Sequence, residues 1–264
     1  MLRLVGTVTI NVMGTLDGQA GIVTGAGRGI GRGVAHALAR EGMNIVLVDQ
    51  DPGSAEDTRG ELEALGARAV AVVGDVSDPA LADEAVAQAL ATFDRIDALV
   101  NGAQAMRSGL SFQEHSDADF DLAISTGLWG AFRFMRSCHP ALAVRGGSIV
   151  NVVSSAGTHG LPGFAGYAAA KEGIRGLTKV AANEWGPQEI RVNAISPQAT
   201  LPSSEAYFDA HPERRAAKLA QRPIKRDGDA EHDIGRTVVF LVGPDSRFIT
   251  GVTLMVNGGL TIMP

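Results

Sequence analysis

The stretch AGIVTGAGRGIGRGVAHALAREGMNIVLVD, Ala20 to Asp49, decides the fold. It opens on a short apolar run, Ala20-Gly21-Ile22-Val23-Thr24, of the kind that forms a buried strand. A glycine-rich turn follows at once, Gly25-Ala26-Gly27-Arg28-Gly29-Ile30-Gly31, then a helical run from Arg32 to Arg40 closed by Glu41-Gly42. A second apolar strand, Asn44 to Val48, ends in Asp49. Strand, Gly-rich turn, helix, strand and acidic residue make a βαβ unit with dinucleotide-binding features. Glycines let the backbone come close to a pyrophosphate, and the helix start offers unpaired N–H groups. Asp49 sits where a carboxylate can accept both hydroxyls of a ribose.

Outward from this unit the alternation continues. Helices are predicted over Ser54 to Leu65, Pro79 to Thr92 (Pro79 in the first turn), Asp117 to Ser137 and Ala230 to Val242. Strands are predicted over Ala67 to Val73, Ile96 to Val100, Ser148 to Val153, Arg191 to Ile195 and Thr253 to Val256. Such a chain builds a parallel sheet covered by helices on both faces. Ligands of these sheets lie beyond the carboxyl ends of the strands, where Asp49, Asp75, Asn101 and Ser154 all fall. The expected fold is thus a single-domain Rossmann-type α/β sheet, over residues 16–264 after an extension of residues 1–15.

With 264 residues, 45% hydrophobic and 20% charged, the chain is long enough for one large core. A formal net charge of -6 provides no footprint for nucleic acid or an anionic membrane. The single cysteine, Cys138, excludes an intrachain disulfide and suits a reducing cytoplasm. The six histidines form no metal-ligand spacing. No apolar run has transmembrane length, and the first fifteen residues read as an extra strand or a tail rather than a secretory signal.

A second stretch carries chemistry: SSAGTHGLPGFAGYAAAK, Ser154 to Lys171. It leaves a strand, crosses a loop rich in Gly and Pro, and enters a helix. Tyr167 and Lys171, four apart, share one helix face. A free phenol titrates at ~10, and a neighbouring ammonium lowers that value. With the Ser154 hydroxyl beside it, the phenol can move a proton to or from a carbonyl or alcohol oxygen.

The chain resembles the short-chain dehydrogenase/reductase family from about Leu16 to Ile262. Thr24-Gly25-Ala26-Gly27-Arg28-Gly29-Ile30-Gly31 is similar to its TGxxxGIG motif and Tyr167-Ala168-Ala169-Ala170-Lys171 to its YxxxK. Ser154 stands at its catalytic serine, Asp75-Val76 at its adenine-contacting pair, and Ile190-Arg191-Val192-Asn193 at its IRVN. The resemblance implies a seven-stranded sheet, a nicotinamide cofactor and a homotetramer or homodimer. It makes Tyr167 the general acid/base, with Lys171 beside it and on the nicotinamide ribose, and Ser154 the substrate-oxygen donor. The cofactor residues implied are Gly25, Arg28, Gly29, Ile30, Gly31, Asp49, Asp75, Val76, Asn101, Tyr167, Lys171 and Pro197. Residues 201–225, with the charged run His211 to Arg215, fall where the family keeps a substrate lid.

The sequence departs from the pattern at three places. The family's NNAG loop is here Asn101-Gly102-Ala103-Gln104. Its NLxG segment is Gly127-Leu128-Trp129-Gly130, so the asparagine completing a catalytic tetrad is absent. Its Pro-Gly after the sixth strand is Pro197-Gln198, and Pro202 replaces a later threonine. Thr126 or Gln104 are candidates to compensate at Gly127, and the space left by the missing side chain is one that water could fill.

The reading is an NAD-dependent oxidoreductase acting on a small secondary alcohol or ketone, with NADP less favoured because of Asp49. Rival readings are a nucleotide-binding regulatory protein, motivated by Gly127 and the altered loops, and a non-redox lyase or epimerase on the same fold. Small residues along the Tyr167 helix (Ala168, Ala169, Ala170, Gly173, Gly176), with the aromatic-rich run Leu128 to Met135, point to helix contacts between subunits. His159 reads as a solvated loop histidine and Cys138 as an inert buried thiol.

Overall fold

A computed structural model describes residues 14–199 and 208–262. Most of the extension, Pro202 and the first part of the lid region lie outside these residues. Seven strands form one parallel sheet: β1 Ala20–Thr24, β2 Asn44–Asp49, β3 Ala69–Val73, β4 Ala98–Asn101, β5 Gly147–Val152, β6 Ile190–Pro197 and β7 Thr253–Val256. Their spatial order is β3-β2-β1-β4-β5-β6-β7. The order turns back beside β1, between the β1 and β4 ends, which is where such a sheet opens a crevice.

The strands are apolar without alternation because both faces are covered. Successive side chains point to opposite faces, so Ile22 and Val23 enter different clusters, as do Val46 and Leu47. One face is covered by α1 Gly29–Arg40 and α9 Arg236–Val242, whose Leu38, Val238 and Leu241 pack with Val23, Ile45 and Leu47. The other carries α3 Leu81–Phe93, α5 Gly130–Leu142 and α7 Ala165–Trp185, with Phe134 and Leu142 against Leu99 and Ile149. The remaining helices are α2 Pro52–Ala64, α4 Asp117–Ala123, α6 Ser155–His159 and α8 Pro212–Ala220.

The elements differ from the sequence reading in instructive places. Pro79 precedes α3, which starts at Leu81. The long helix expected over Asp117 to Ser137 is broken by a π-helical turn, Ile124–Trp129, and then runs to Leu142 through Pro140. Proline inside a helix loses one hydrogen bond. Here Cys138 and Leu142, one turn apart and both buried, hold the last turn by packing. The helix before β7 also begins as a π turn, Ala230–Gly235. The loop expected between β5 and the Tyr167 helix contains α6, capped by Ser154, whose Oγ accepts from the Ala156 N–H at 3.1 Å.

The IRVN segment is a structural clamp. Arg191 donates to the Leu241, Val242 and Gly243 carbonyls and to Ser246 Oγ, satisfying the end of α9. Asn193 donates to the Ile249 carbonyl and accepts from the Val252 N–H, fixing the approach to β7.

Candidate active site

A cleft of about 610 Å³ opens beyond the carboxyl ends of β1, β2, β3 and β4. It is lined by Gly25, Arg28, Gly29, Ile30, Gly31, Asp49, Asp75, Val76 and Tyr167, all anticipated from sequence, and by Gln50, Gly102, Ala103, Gln104 and Thr126, which were not assigned there. Among the expected residues, Ser154, Lys171, Asn101 and Pro197 are not part of this lining.

The glycine turn is dictated by close approach. Gly25 has φ +69°, and a Cβ there would sit 2.9 Å from the Ala103 backbone. A Cβ on Gly31 would lie 2.0 Å from the Gly25 carbonyl oxygen. Thr24 Oγ1 accepts from the Gly102 and Ala103 N–H groups, joining the β1 turn to the loop after β4. The result is a bare backbone cradle at the start of α1, a fit for the phosphates of a dinucleotide. Asp49 ends β2 within this cradle. Its carboxylate accepts from Gly27 N–H at 2.8 Å and from Asp51 N–H at 3.1 Å.

Asn101 stands at the end of β4 but turns into the core, where Nδ2 donates to Asn151 Oδ1 at 2.8 Å. Asn151 in turn donates to Thr178 on α7. In this geometry Asn101 ties β4, β5 and α7 together. Pro197 closes β6, with the next N–H, that of Gln198, bonded to Val256.

At the far end of the cleft, β5 and α7 bring Ser154, Tyr167 and Lys171 together. Lys171 is buried, donates from Nζ to the Val152 carbonyl at 2.8 Å, and lies 5.5 Å from the Tyr167 ring centroid. Burial pushes its ammonium down to about 7. Burial also raises the Tyr167 phenol, while a hydrogen bond with the Ser154 hydroxyl pulls it down. Desolvation is the largest influence on both groups.

Burial of the Lys171 ammonium costs stability. Its folded value near 7, against about 10.5 in an open chain, means the unfolded state binds more protons across that window. The penalty is full below pH 7, about 4–5 kcal/mol, and fades as pH rises toward 10. Lys171→Met removes it but leaves the Val152 carbonyl unpaired, a loss of about 1–3 kcal/mol. We expect the cofactor-free variant to gain roughly 3–10 °C in Tm at pH 7, shrinking toward pH 10, while turnover collapses. Calorimetry across that range checks this; an unchanged or lower Tm at pH 7 contradicts it.

Gly127 lies in the π turn, and its missing side chain leaves no gap for water. A Cβ there would meet Gln104 Oε1 at 2.2 Å and its Cδ at 2.8 Å. The Gln104 carboxamide occupies that space, and its Nε2 donates to the Ala105 and Ala123 carbonyls at 3.0 and 2.9 Å. Thr126 Oγ1 accepts from the Ala105 N–H at 3.0 Å and donates to Leu122. The sequence signal for this arrangement was the joint departure at positions 104 and 127.

Other expectations resolve simply. Cys138 is buried, its thiol pushed up to about 12, so it is inert. His159, the last residue of α6, is exposed. Trp129 is half exposed, whereas Phe134 is core. The charged run His211 to Arg215 begins α8, where Arg215, Lys218 and Arg222 converge on Asp227. Among the described residues, no cluster of His, Cys, Asp and Glu could hold a metal ion, and no helix is long and apolar enough to cross a membrane.

Comparison with known proteins places this geometry. A family model described as Enoyl-(Acyl carrier protein) reductase matches residues 25–261. The 12alpha-hydroxysteroid dehydrogenase of Clostridium sp. is 41% identical over 259 residues, covering 96% of this chain and 100% of that protein. The 3-oxoacyl-[acyl-carrier-protein] reductase FabG of Staphylococcus epidermidis is 35% identical over 244 residues, 92% of this chain and 98% of that one. A short-chain alcohol dehydrogenase structure from Sinorhizobium meliloti superimposes with a TM-score of 0.87 at 34% identity, covering 93% of this chain and 97% of the other. NAD+-bound xylitol dehydrogenase does so at 0.84 and 32%, covering 92% and 99%. With the glycine cradle, the Ser154, Tyr167 and Lys171 cluster and these matches along almost its whole length, the chain belongs to the short-chain dehydrogenase/reductase family.

Proposed function

We propose that this chain interconverts a secondary alcohol and a ketone with NAD as the hydride carrier. The observation that carries the reading is the group of Ser154, Tyr167 and buried Lys171 at one end of a cleft whose other end is a phosphate cradle. A nicotinamide dinucleotide held by Gly25, Gly29, Ile30, Gly31, Asp49, Asp75 and Val76 would supply the hydride chemistry. The protein's own part is placement and proton transfer. Ser154 donates a hydrogen bond to the substrate oxygen, Tyr167 takes or gives the proton there, and Lys171 carries charge toward the phenol when protonated.

Two loops beside Tyr167 suggest the substrate's character. Gly109 N–H donates to the Gly163 carbonyl at 3.0 Å, joining the 105–110 loop to the turn before α7. Met106 and Leu161 are 40% and 49% exposed on these loops, and the Phe164 ring is 6.0 Å from that of Tyr167. Such a rim favours an alcohol on an apolar framework, and the hydroxysteroid dehydrogenase relative makes hydroxysteroids the first probes. A panel of hydroxysteroids, sugar alcohols and simple ketones, followed by nicotinamide absorbance, tests the reading. Tight cofactor binding without turnover of any panel member would favour a nucleotide-binding protein instead.

We also propose a reducing compartment such as the cytoplasm, consistent with the lone buried thiol, and a closed symmetric oligomer. Several small residues on α7 serve the subunit itself: Gly166 packs on Phe120, Gly173 on Leu128, and Ala170 is buried. Ala169, Gly176 and Val180 stay exposed, as does half of Trp129. That apolar stripe supports a helix-to-helix contact with a second copy. Light scattering at micromolar concentration should give a dimer or tetramer mass; a 27.4 kDa particle refutes it.

A further inference from the structure

We infer that Gln104 is a positioning residue of the proton-transfer site, taking from the loop after β4 the place of the side chain that Gly127 lacks. The two residues form one unit. The orientation of the carboxamide is fixed, because both of its partners are carbonyls and only the NH₂ end can serve them. Oε1 is therefore turned toward Gly127, where it is buried without a donor. The carboxamide oxygen thus stands where a side chain at position 127 would be.

What the carboxamide secures is the break between α4 and α5. Its Nε2 holds the Ala123 carbonyl, at the last residue of α4, just before the π turn. Ala123 and Phe120 lie directly against Gly166, where an added Cβ would come within 3.3 and 3.1 Å. Gly166 is the neighbour of Tyr167, and further along α7 Leu128 of the π turn packs against Gly173. The break thus sets the seat of the helix that presents both Tyr167 and Lys171. Gln104 and Thr126 also line the cleft together with Tyr167, so the brace runs along the wall of the site itself. A one-ångström displacement of a reacting group can cost about 10²-fold in rate, which is the scale on which such a brace acts.

The pair is coupled by sterics, since a side chain at 127 and the carboxamide of 104 cannot share the space. Gln104→Gly should lower kcat by about 10- to 100-fold with KM and cofactor Kd nearly unchanged. Gly127→Asn should also lower kcat, and the Tm with it, because the two amides collide. The double variant Q104G/G127N should recover most of both losses, giving a coupling far from additive. Gln104→Glu keeps the shape but cannot donate to Ala105 and Ala123, and should match Gln104→Gly in kcat. It carries the test if Gln104→Gly fails to fold.

This inference rests on the oxidoreductase reading, so one readout needs no substrate. The chain has two tyrosines, and in a Tyr207→Phe background the fluorine resonance of 3-fluorotyrosine reports Tyr167 alone. Gln104→Gly should raise that phenol's titration by about 0.5 unit or more, through loss of the Ser154 hydrogen bond, and the double variant should restore it. A mere filler would leave the phenol unmoved. Wild-type kcat and titration in Gln104→Gly, or a double variant no better than the worse single one, overturns the proposal. If the titration and the Tm cycle behave as stated while no alcohol or ketone is turned over, the oxidoreductase reading fails and the positioning role stands.

Discussion

Tyr167→Phe should reduce turnover by about 10²–10⁴-fold while leaving the affinity for the nicotinamide cofactor almost unchanged. The phenol is the group at this end of the cleft with both the reach and the chemistry to exchange a proton with the substrate oxygen. Ser154 caps α6 and hydrogen-bonds the phenol, so its hydroxyl is placed to orient rather than to accept a proton. Phe preserves the ring and its packing beside Phe164, so the loss falls on kcat. The residual rate should keep little of the wild-type pH dependence. Burial alone leaves the phenol a poor base, and the remedy lies in Lys171: an ammonium 5.5 Å from the ring centre favours phenolate by about 3 kcal/mol at an effective dielectric of ~20. Because the lysine itself titrates near 7, the two groups lose protons as a pair, and the pH profile belongs to both. Steady-state kinetics with cofactor titration by fluorescence check this; a Phe variant with wild-type turnover removes Tyr167 from the mechanism.

How much of this was legible beforehand varies with the kind of interaction. The βαβ unit and the sheet were readable because strand burial and glycine crowding act within a few residues, and each leaves a pattern in the letters. Gly25 and Gly31 could be assigned because the contacts that forbid a Cβ are made by the turn itself and the loop beside it. The π turns were not readable: Ile124–Trp129 depends on a side chain twenty residues upstream and on the packing of α7. The side-chain direction of Asn101 was not readable for the same reason. It stands at a strand end beside the cleft, but its amide donates inward to Asn151, which Thr178 holds in turn. Gly127 was correctly marked as a departure, yet the absence of a side chain there reads as a void until Gln104 is seen to fill it. The desolvation of the catalytic group was not readable either, because burial is a property of the assembled core and spacing along a helix cannot report it.

The wild-type protein should prefer NAD over NADP by roughly 10- to 10³-fold in kcat/KM. That expectation rests on the carboxylate that ends β2. Asp49 is held by Gly27 N–H and Asp51 N–H, so it stands ready to accept the ribose hydroxyls and cannot easily move aside. NADP would bring a phosphate of about -1.5 to -2 charge into that space. At ~4 Å and an effective dielectric of ~20, two unit charges of like sign repel by about 4 kcal/mol, reduced by water and side-chain motion. Arg28, exposed in the glycine turn, acts in the other direction as a partner for phosphate. It is offset by Asp51, whose carboxyl caps α2 through Ser54 and feels the Arg28 charge. Asp49→Ala changes three terms together: it removes the repelling charge, frees Gly27 N–H as an anion donor, and leaves Arg28 able to swing toward the phosphate. The variant should therefore narrow the preference mainly by improving NADP, with a smaller loss toward NAD from the missing ribose contacts. Measuring kcat/KM for both cofactors in wild type and variant separates the effects. Equal or better use of NADP by the wild type would mean that Arg28, not Asp49, governs the choice.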